Sequence, residues 1–200
     1  MANEEHLTRL KQGVSAWNAW RKEKHKEAHA RSTEWVTTQD QWRKENPDYW
    51  PDLTEADLSE VDLFQANLDG VNLWGTNLSG ADLSGAYLFK ANLMEADLLE
   101  ANLTRANLTG ADFSNADLSE ANLSYADLRG ANLTRARLVE TNFEGANLTG
   151  CTVYGISAWR LNLAGAQQSD LVITPADEPA ITVDNLEVAQ FIYLLLHNEK

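Results

Sequence analysis

The dominant pattern in this sequence is a leucine at every fifth position. From Leu53 to Leu148 the residue at this spacing is always Leu, except for Phe113 and Phe143. A small residue, in most cases Ala, stands two positions before each of them. A period of five matches neither the 3.6-residue turn of an α-helix nor the two-residue alternation of a strand. The pattern therefore predicts another structure, a coil that turns a corner every five residues.

Four such pentads would close a square coil, so that each residue lies one layer below the residue twenty positions later, at the ~4.8 Å spacing of β-strands. We expect the Leu and Ala positions to form the core, and Cys151 and Val153 to continue it where the repeat decays. The Asp or Asn before each Leu can accept hydrogen bonds from nearby backbone N–H groups at the corner. Gly at many of the last positions supplies the positive φ that tight turns favour.

The pentads ADLSE, ANLTR and ANLTG and their neighbours resemble the pentapeptide-repeat family. The resemblance implies an all-β solenoid, a right-handed quadrilateral β-helix. It implies no single activity, because the motif is structural and family members differ in function. We predict three regions: a helical, Trp-rich N-terminal cap at 1–50, the pentapeptide-repeat β-helix at 51–166, and a C-terminal cap strand and helix at 167–200.

The N-terminal segment carries a helical pattern in place of the pentads. Leu and Trp residues at helical spacing predict a first helix at about 4–29. Trp35 and Trp42 predict a second helix, which Asn46 and Pro47 would end. The open end of a solenoid exposes core leucines and unpaired strand edges. We therefore expect these helices to cap the first coil, with Trp35 or Trp42 packed on the rod.

The C-terminal segment predicts a closing strand followed by a helix. An extended run at Leu171–Thr174 would complete the last coil, and Asp184 with Glu187 forms a capping-box pattern that would open the helix. Residues 188–196 are apolar on nearly every side of that helix. One side can cover the end of the rod, so the other, which carries Phe191 and Leu195, requires a second copy or another domain.

Residues 173–200 also resemble the segment that joins pentapeptide repeats to a TIR-like signalling domain in larger bacterial proteins. This resemblance implies an N-terminal regulatory module of a TIR-like enzyme.

The charge of the chain is strongly negative and unevenly distributed. The formal net charge is −14, and residues 52–166 carry 16 acidic against 6 basic side chains. An acidic surface repels phosphates, so we expect no direct nucleic-acid binding unless the basic run at 21–31 achieves it alone.

Because residues twenty positions apart stack, the outward positions predict a column of carboxylates on one face. Arg137 is the only basic residue in this column to offset its negative charge. The column comprises Glu60, Glu100, Glu120 and Glu140, with Asp57, Asp97 and Asp117 beside them. Stacked like charges repel by roughly 1 kcal/mol per adjacent pair in water. The column is either a solubilising face or a mimic of DNA. Acidic rods of the second kind occupy topoisomerases in the members of the family that are associated with fluoroquinolone resistance.

Large apolar side chains at outward positions cluster in the first half of the repeats. They are Phe64, Trp74, Tyr87, Phe89, Met94 and Leu99, and Trp74 and Met94 should stack on one face. Exposed apolar patches mark surfaces that another element covers, so we expect a partner protein or the N-terminal cap to cover this one.

No residue pattern predicts catalysis or a bound metal. His25 and His29 have the spacing of metal ligands, but Lys26 stands where a zinc-protease motif needs Glu, and no third ligand is evident. The regular Asp and Asn positions favour turn chemistry over acid–base catalysis, and Cys151 has no evident His partner. We therefore expect no catalytic residue, no cofactor and no metal.

The sequence favours a non-enzymatic interaction scaffold that presents a protein-binding surface and either forms a homodimer or joins a further domain through its C-terminal helix. A DNA-mimic regulator of a type II topoisomerase and the TIR-linked module stay open as alternatives. A single cysteine, no signal-peptide pattern and no apolar run of ~20 residues predict a cytoplasmic protein without a membrane anchor.

Overall fold

Coils of twenty residues form the body of the protein. The computed structural model describes residues 1–31 and 50–197. Parallel β-bridges join each Asp or Asn position to the residue twenty further along, from Asp52 and Asn72 to Thr152 and Val172. With one corner in every pentad, a twenty-residue coil has four sides. The coil predicted from the five-residue period is therefore confirmed.

The leucine column is the core of each side. Every Leu or Phe position between Leu53 and Leu148 is 0% exposed, and Cys151 and Val153 extend the buried column as predicted. Backbone hydrogen bonds join the layers: Leu103 N–H donates to the carbonyl of Asn122 at 2.7 Å, and Asn122 N–H donates to Ala101 at 2.9 Å. Each coil thus shares both its apolar core and its backbone hydrogen bonds with its neighbours.

The Asp and Asn side chains fix the corners, as expected. Asp117 Oδ1 accepts from the backbone N–H of Ser119 at 2.9 Å, and the same two-residue pattern recurs along the rod. An Asn also links layers, since Asn132 Nδ2 donates to the Asp112 carboxylate one coil below at 3.1 Å. The preference for Asp or Asn therefore has two causes, one within the pentad and one between coils.

The last position of each pentad is left-handed whether or not it is glycine. Glu120 and Tyr125 both have a φ of 59°, as do similar non-glycine residues along the rod. This conformation costs a non-glycine residue ~1 kcal/mol or more, which the coil packing offsets. A Cβ at Gly145 would lie 2.6 Å from the exposed Tyr125 ring, so any other residue there would have to displace that ring. The corner is thus imposed by the fold more than by glycine.

Four short strands lie at the C-terminal end of the rod. Strand β1 (Arg137–Val139) pairs in parallel with β2 (Ser157–Trp159). Strand β3 (Leu171–Val172) pairs antiparallel with β4 (Thr182–Val183) and also joins the last coil through Thr152. The closing run predicted after Leu171 is present as β3, and β4 covers its outer edge.

Within residues 1–31, two helices lie where the sequence predicted a single helix at about 4–29. Helix α1 spans Glu4–Lys11 and α2 spans Val14–Arg31. The prediction of one continuous helix was wrong because Gly13, with a φ of +105°, turns the chain between them. Leu10 and Trp17, which lie on the predicted apolar face, are buried. The second predicted helix, with Trp35 and Trp42, lies outside the described residues.

Helix α3 (Leu186–Leu196) follows β4. Its N-cap is Asn185, whose side chain accepts from the backbone N–H of Val188 at 2.9 Å. The predicted capping box was therefore wrong by one residue. Asp184 accepts from the backbone N–H of Asp170 at 2.9 Å, so this carboxylate ties the helix entry to the last coil instead of capping the helix.

Candidate interaction surfaces

The bridges divide the rod into four faces, which we number by the side chains that begin each column. Face 1 begins with Asp52, Asn72 and Asn92, face 2 with Asp57, Asn77 and Asp97, face 3 with Asp62, Asp82 and Asn102, and face 4 with Asn67, Tyr87 and Asn107. Faces 2 and 4 lie on opposite sides of the coil. The residues singled out from the sequence are spread over these faces and helix α3.

The predicted acidic column lies on face 2. It contains Glu60, Glu100, Glu120 and Glu140 at the corners, all exposed, and the side chains of Asp57, Asp97 and Asp117 next to them. The Ser59 hydroxyl donates to Asp57 at 2.8 Å, and this bond, with the Ser59 N–H, lowers the pKa of the Asp57 carboxyl. The column is therefore a line of exposed carboxylates along one side of the rod.

Arginines compensate the column at its C-terminal end. Arg137 lies 3.5 Å from the Asp117 carboxylate, as the sequence predicts. Arg160, which the sequence analysis missed, donates to Glu140 at 2.8 Å. The step of twenty places position 160 directly above 140, but the repeat has decayed there. The column is therefore interrupted at Asn77 and Gly80 and partly neutralised at its C-terminal end.

The outward apolar side chains do not form one patch. Trp74 and Met94 stack on face 1, as predicted, but both are half-buried. Phe64 lies on face 3 and Leu99 on face 2, each exposed, while Tyr87 and Phe89 lie together on face 4. Only the Trp74–Met94 pair and the Tyr87–Phe89 pair bring such side chains together.

The N-terminal helices cap the first coil. Its open edge carries backbone groups that a preceding coil would otherwise bind. His6 Nδ1 accepts from the Asp52 N–H at 3.1 Å, and Asn18 Oδ1 accepts from the Asn67 N–H at 2.7 Å. Trp17 Nε1 donates to the Asn67 carbonyl at 2.7 Å. Helices α1 and α2 thus replace a missing coil along faces 1 and 4.

Helix α2 and face 4 enclose a cleft of about 800 Å³, which we call the α2 cleft. Arg21, Lys22, His25 and Lys26 line it from the helix, and Tyr87, Phe89 and Lys90 line it from the rod, with Trp50 and Asp69 between them. The sequence showed the basic run and the outward aromatic residues separately. Nothing in the sequence indicated that the two groups meet, because they are more than sixty residues apart and only the fold brings them together.

Asp69 places a carboxylate in the α2 cleft. Its side chain accepts from the backbone N–H of Phe89 at 2.8 Å, and its carbonyl oxygen accepts from Arg21 Nη2 at 2.6 Å. Burial raises the pKa of the Asp69 carboxyl, although the Phe89 N–H and the Arg21 charge act in the opposite direction. Lys90 Nζ lies 5.2 Å from the centre of the Phe89 ring. Cationic and aromatic groups thus meet on one wall.

Helix α3 is anchored on one side and exposed on the other. Leu186 and Ala189 are buried, and the Tyr193 ring packs edge-on against Tyr154 with ring centres 5.2 Å apart. The exposed side, which we call the α3 surface, consists of Val188, Phe191, Leu194, Leu195 and Leu196. Phe191 and Leu195, predicted to need cover, are 62% and 63% exposed.

No group of His, Cys, Asp and Glu in residues 1–31 and 50–197 could hold a metal ion. His25 lines the α2 cleft, while the side chain of His29 lies outside the description. No helix in the described part of the chain is long and apolar enough to cross a bilayer.

A coil of twenty residues, with a buried Leu in the middle of each of its four sides, defines a β-helical solenoid. The family model "Pentapeptide repeats" matches in eight copies, over residues 56–93, 86–124, 96–135 and 116–153. The chain belongs to the pentapeptide-repeat family, whose members imply that the coil is right-handed.

Solved structures of the family resemble this chain in sequence. A pentapeptide repeat protein from the thylakoid lumen of Arabidopsis thaliana is 35% identical, with 52% of this chain and 66% of that chain covered and a TM-score of 0.20. One from Nostoc PCC 7120 is 30% identical, with 48% and 80% covered and a TM-score of 0.27. QnrB1, a plasmid-mediated fluoroquinolone resistance protein, is 24% identical, with 70% and 84% covered and a TM-score of 0.28.

A search of curated proteins finds no match. The matched repeats end at residue 153, and no comparison supports the predicted resemblance of residues 173–200 to a junction with a TIR-like domain.

Proposed function

We propose that this protein is a non-enzymatic interaction scaffold whose rod carries a self-association surface on helix α3. The observation that carries the proposal is the exposure of Phe191 and Leu195 on a helix whose other side is fixed to the rod. Contiguous exposed apolar side chains are typical of protein–protein contacts. Since the helix is anchored through Leu186 and Ala189, it cannot turn this surface inward without losing that packing.

The occupant that fits best is a second copy of the chain. Residues 188–196 contain no charged side chain, so two α3 surfaces can approach without local repulsion despite the charge of −14 on each chain. A two-fold arrangement places the same patch against itself and covers both copies at once. The long-range repulsion between the acidic rods is screened by salt, so association should strengthen as ionic strength rises.

Sedimentation velocity on the chain at tens of micromolar tests the proposal. We expect a dimer, and Leu195→Glu should convert it to a monomer with the repeats still folded, because Leu195 lies outside the coil core. Leu99→Glu is the matched control, since Leu99 is an exposed leucine on the rod, far from α3. A wild-type monomer would overturn self-association and would favour another domain as the occupant. A dimer that survives Leu195→Glu would place the contact elsewhere.

The acidic column on face 2 favours a second candidate, a DNA-mimic regulator of a type II topoisomerase. Carboxylates recur along this face except in the pentad at 76–80, and Arg137 and Arg160 compensate its C-terminal end. A supercoiling assay distinguishes the two candidates. If the protein inhibits supercoiling by the topoisomerase and the double variant Glu100→Lys/Glu120→Lys does not, the DNA-mimic function is favoured. Unchanged supercoiling at micromolar protein would exclude it.

A further inference from the structure

The α2 cleft is a positively charged site on a strongly negative protein. Arg21, Lys22, Lys26 and Lys90 line it, against Asp69 as the one carboxylate among its described lining residues. The cleft lies on face 4, on the opposite side of the rod from the acidic column. A local reversal of charge of this kind attracts anions to one place on a surface that otherwise repels them.

The rod side of the cleft departs from the repeat at all three outward positions of a single pentad. Residues 86–90 read AYLFK, in which Ala86 and Leu88 keep the buried core. Tyr87 replaces the usual Asp or Asn, Phe89 replaces the commoner Ser or Thr, and Lys90 stands where Gly and Glu are the commonest residues. All three replacements line the cleft. The core of this pentad is thus ordinary, and its changes are confined to the surface that faces helix α2.

We propose that the α2 cleft binds a nucleoside polyphosphate. The cationic side chains would hold the phosphates, and the rings of Tyr87 and Phe89 would stack on the base. A nucleoside polyphosphate needs both cationic groups for its phosphates and aromatic rings for its base, and the cleft provides both.

The cations lie on two sides of the cleft. Lys22 and Lys26 are one helical turn apart on α2, so both face the same side, and Lys90 approaches from the rod. Arg21 is held in position by its 2.6 Å bond to the Asp69 carbonyl and is 7% exposed. Lysines act as mobile point charges toward phosphate, so Lys22, Lys26 and Lys90 would contact the phosphates, while the charge of Arg21 adds to the positive potential behind them.

The aromatic wall explains why a simple anion is not the best fit. Tyr87 is 51% exposed and Phe89 is 41% exposed, so ring surface is open to a ligand. The Phe89 N–H donates to Asp69, which fixes the backbone that carries the ring. Any nucleobase can stack on an aromatic ring, because every base has a π-face. The volume of about 800 Å³ suits a small molecule, while the acidic remainder of the chain disfavours a long polyanion.

Isothermal titration calorimetry on the full chain tests the proposal with ATP and GTP as probes. Adenosine and inorganic tripolyphosphate each supply half of the chemistry, and we expect each to bind roughly tenfold or more weakly than ATP. Tyr87→Asn with Phe89→Thr returns the pentad to the repeat, so the fold should be kept, and ATP affinity should fall roughly tenfold or more. Lys90→Gly should weaken ATP and tripolyphosphate alike.

Matched controls separate the cleft from the rest of the surface. Tyr125→Gly removes another exposed tyrosine, and Arg135→Gly removes another cation from a last position, both outside the cleft. Neither should change ATP affinity. The proposal would be overturned if ATP does not bind at low ionic strength, if tripolyphosphate or an acidic peptide binds as tightly as ATP, or if the control variants weaken ATP as much as the cleft variants.

Discussion

Thr76 Oγ1 donates a hydrogen bond to the backbone carbonyl of Leu53, 2.8 Å away and twenty-three residues earlier. Thr141 does the same to Leu118 at 2.9 Å. Cys151 Sγ lies 3.0 Å from the carbonyl of Leu128 in the same relation. All three side chains occupy the small inward position that is Ala in most pentads. The core can therefore hold a polar group here, because a carbonyl of the coil below lies within reach.

Replacing Thr141 by Val should destabilise the protein by about 1 kcal/mol, the usual net value of one hydrogen bond. The side chain keeps its size, and Val71 shows that Val is accommodated at this type of position. Leu118 keeps the bond that its carbonyl accepts from the Ala121 N–H at 3.1 Å, so no buried carbonyl is left unpaired. Urea denaturation measures the difference. Thr141→Ser keeps the hydroxyl and loses only the buried methyl group, so it measures the packing contribution separately, and an unchanged stability of Thr141→Val would show that the hydrogen bond contributes nothing.

Replacing Leu103 by Asp should unfold several coils together. Leu103 is fully buried in a core that is one side chain wide on each face. An unpaired charge there costs several kcal/mol, roughly as much as the whole stability of a small domain, and adjacent coils share the same column. Far-UV circular dichroism during thermal unfolding measures the loss. Thr104→Asp, at the neighbouring outward position, should have little effect, and an unchanged midpoint for Leu103→Asp would contradict the solenoid.

The core could be predicted from the sequence because the step of five fixes each layer without reference to distant elements. The helix boundaries were less accessible: Gly13 interrupts a helix whose apolar spacing continues across it, and Asn185 caps α3 although its neighbour Asp184 has the better motif. The α2 cleft was out of reach. Its two walls, Lys22 and Phe89 among them, come from different types of structure, and no periodicity relates a helix to the coil that it caps.

Repulsion within the acidic column should be measurable at Glu120. Positions twenty residues before and after it carry Glu100 and Glu140, whereas Glu95 has Gly75 and Asn115 as its stacked neighbours. Glu120→Gln should therefore stabilise the protein by about 0.5 kcal/mol at low ionic strength, and the gain should shrink in high salt. Glu95→Gln is the control and should show no such salt dependence. Denaturation at two salt concentrations makes the comparison, and equal responses would show that the column carries no excess repulsion.

The thiol of Cys151 should be unreactive in the folded protein. The residue is fully buried, and burial raises its pKa from an ordinary value of 9.0 to about 12. A thiol-specific reagent at neutral pH should therefore label it only as fast as the rod unfolds, and at once in denaturant. Rapid labelling of the native chain would show that this end of the rod opens locally.

The same burial makes stability depend on alkaline pH. Below the unfolded pKa of 9.0 the thiol is protonated in both states, so it has no effect. As the pH rises toward the folded value of about 12, only the unfolded chain loses the proton, and stability falls. Cys151→Ala, which restores the commonest residue of the repeat, should remove this part of the loss. Denaturation at a series of pH values above 9.0 measures the slopes for both proteins, so that tyrosine ionisation, common to both, cancels. Identical slopes would mean that the thiol stays accessible to solvent.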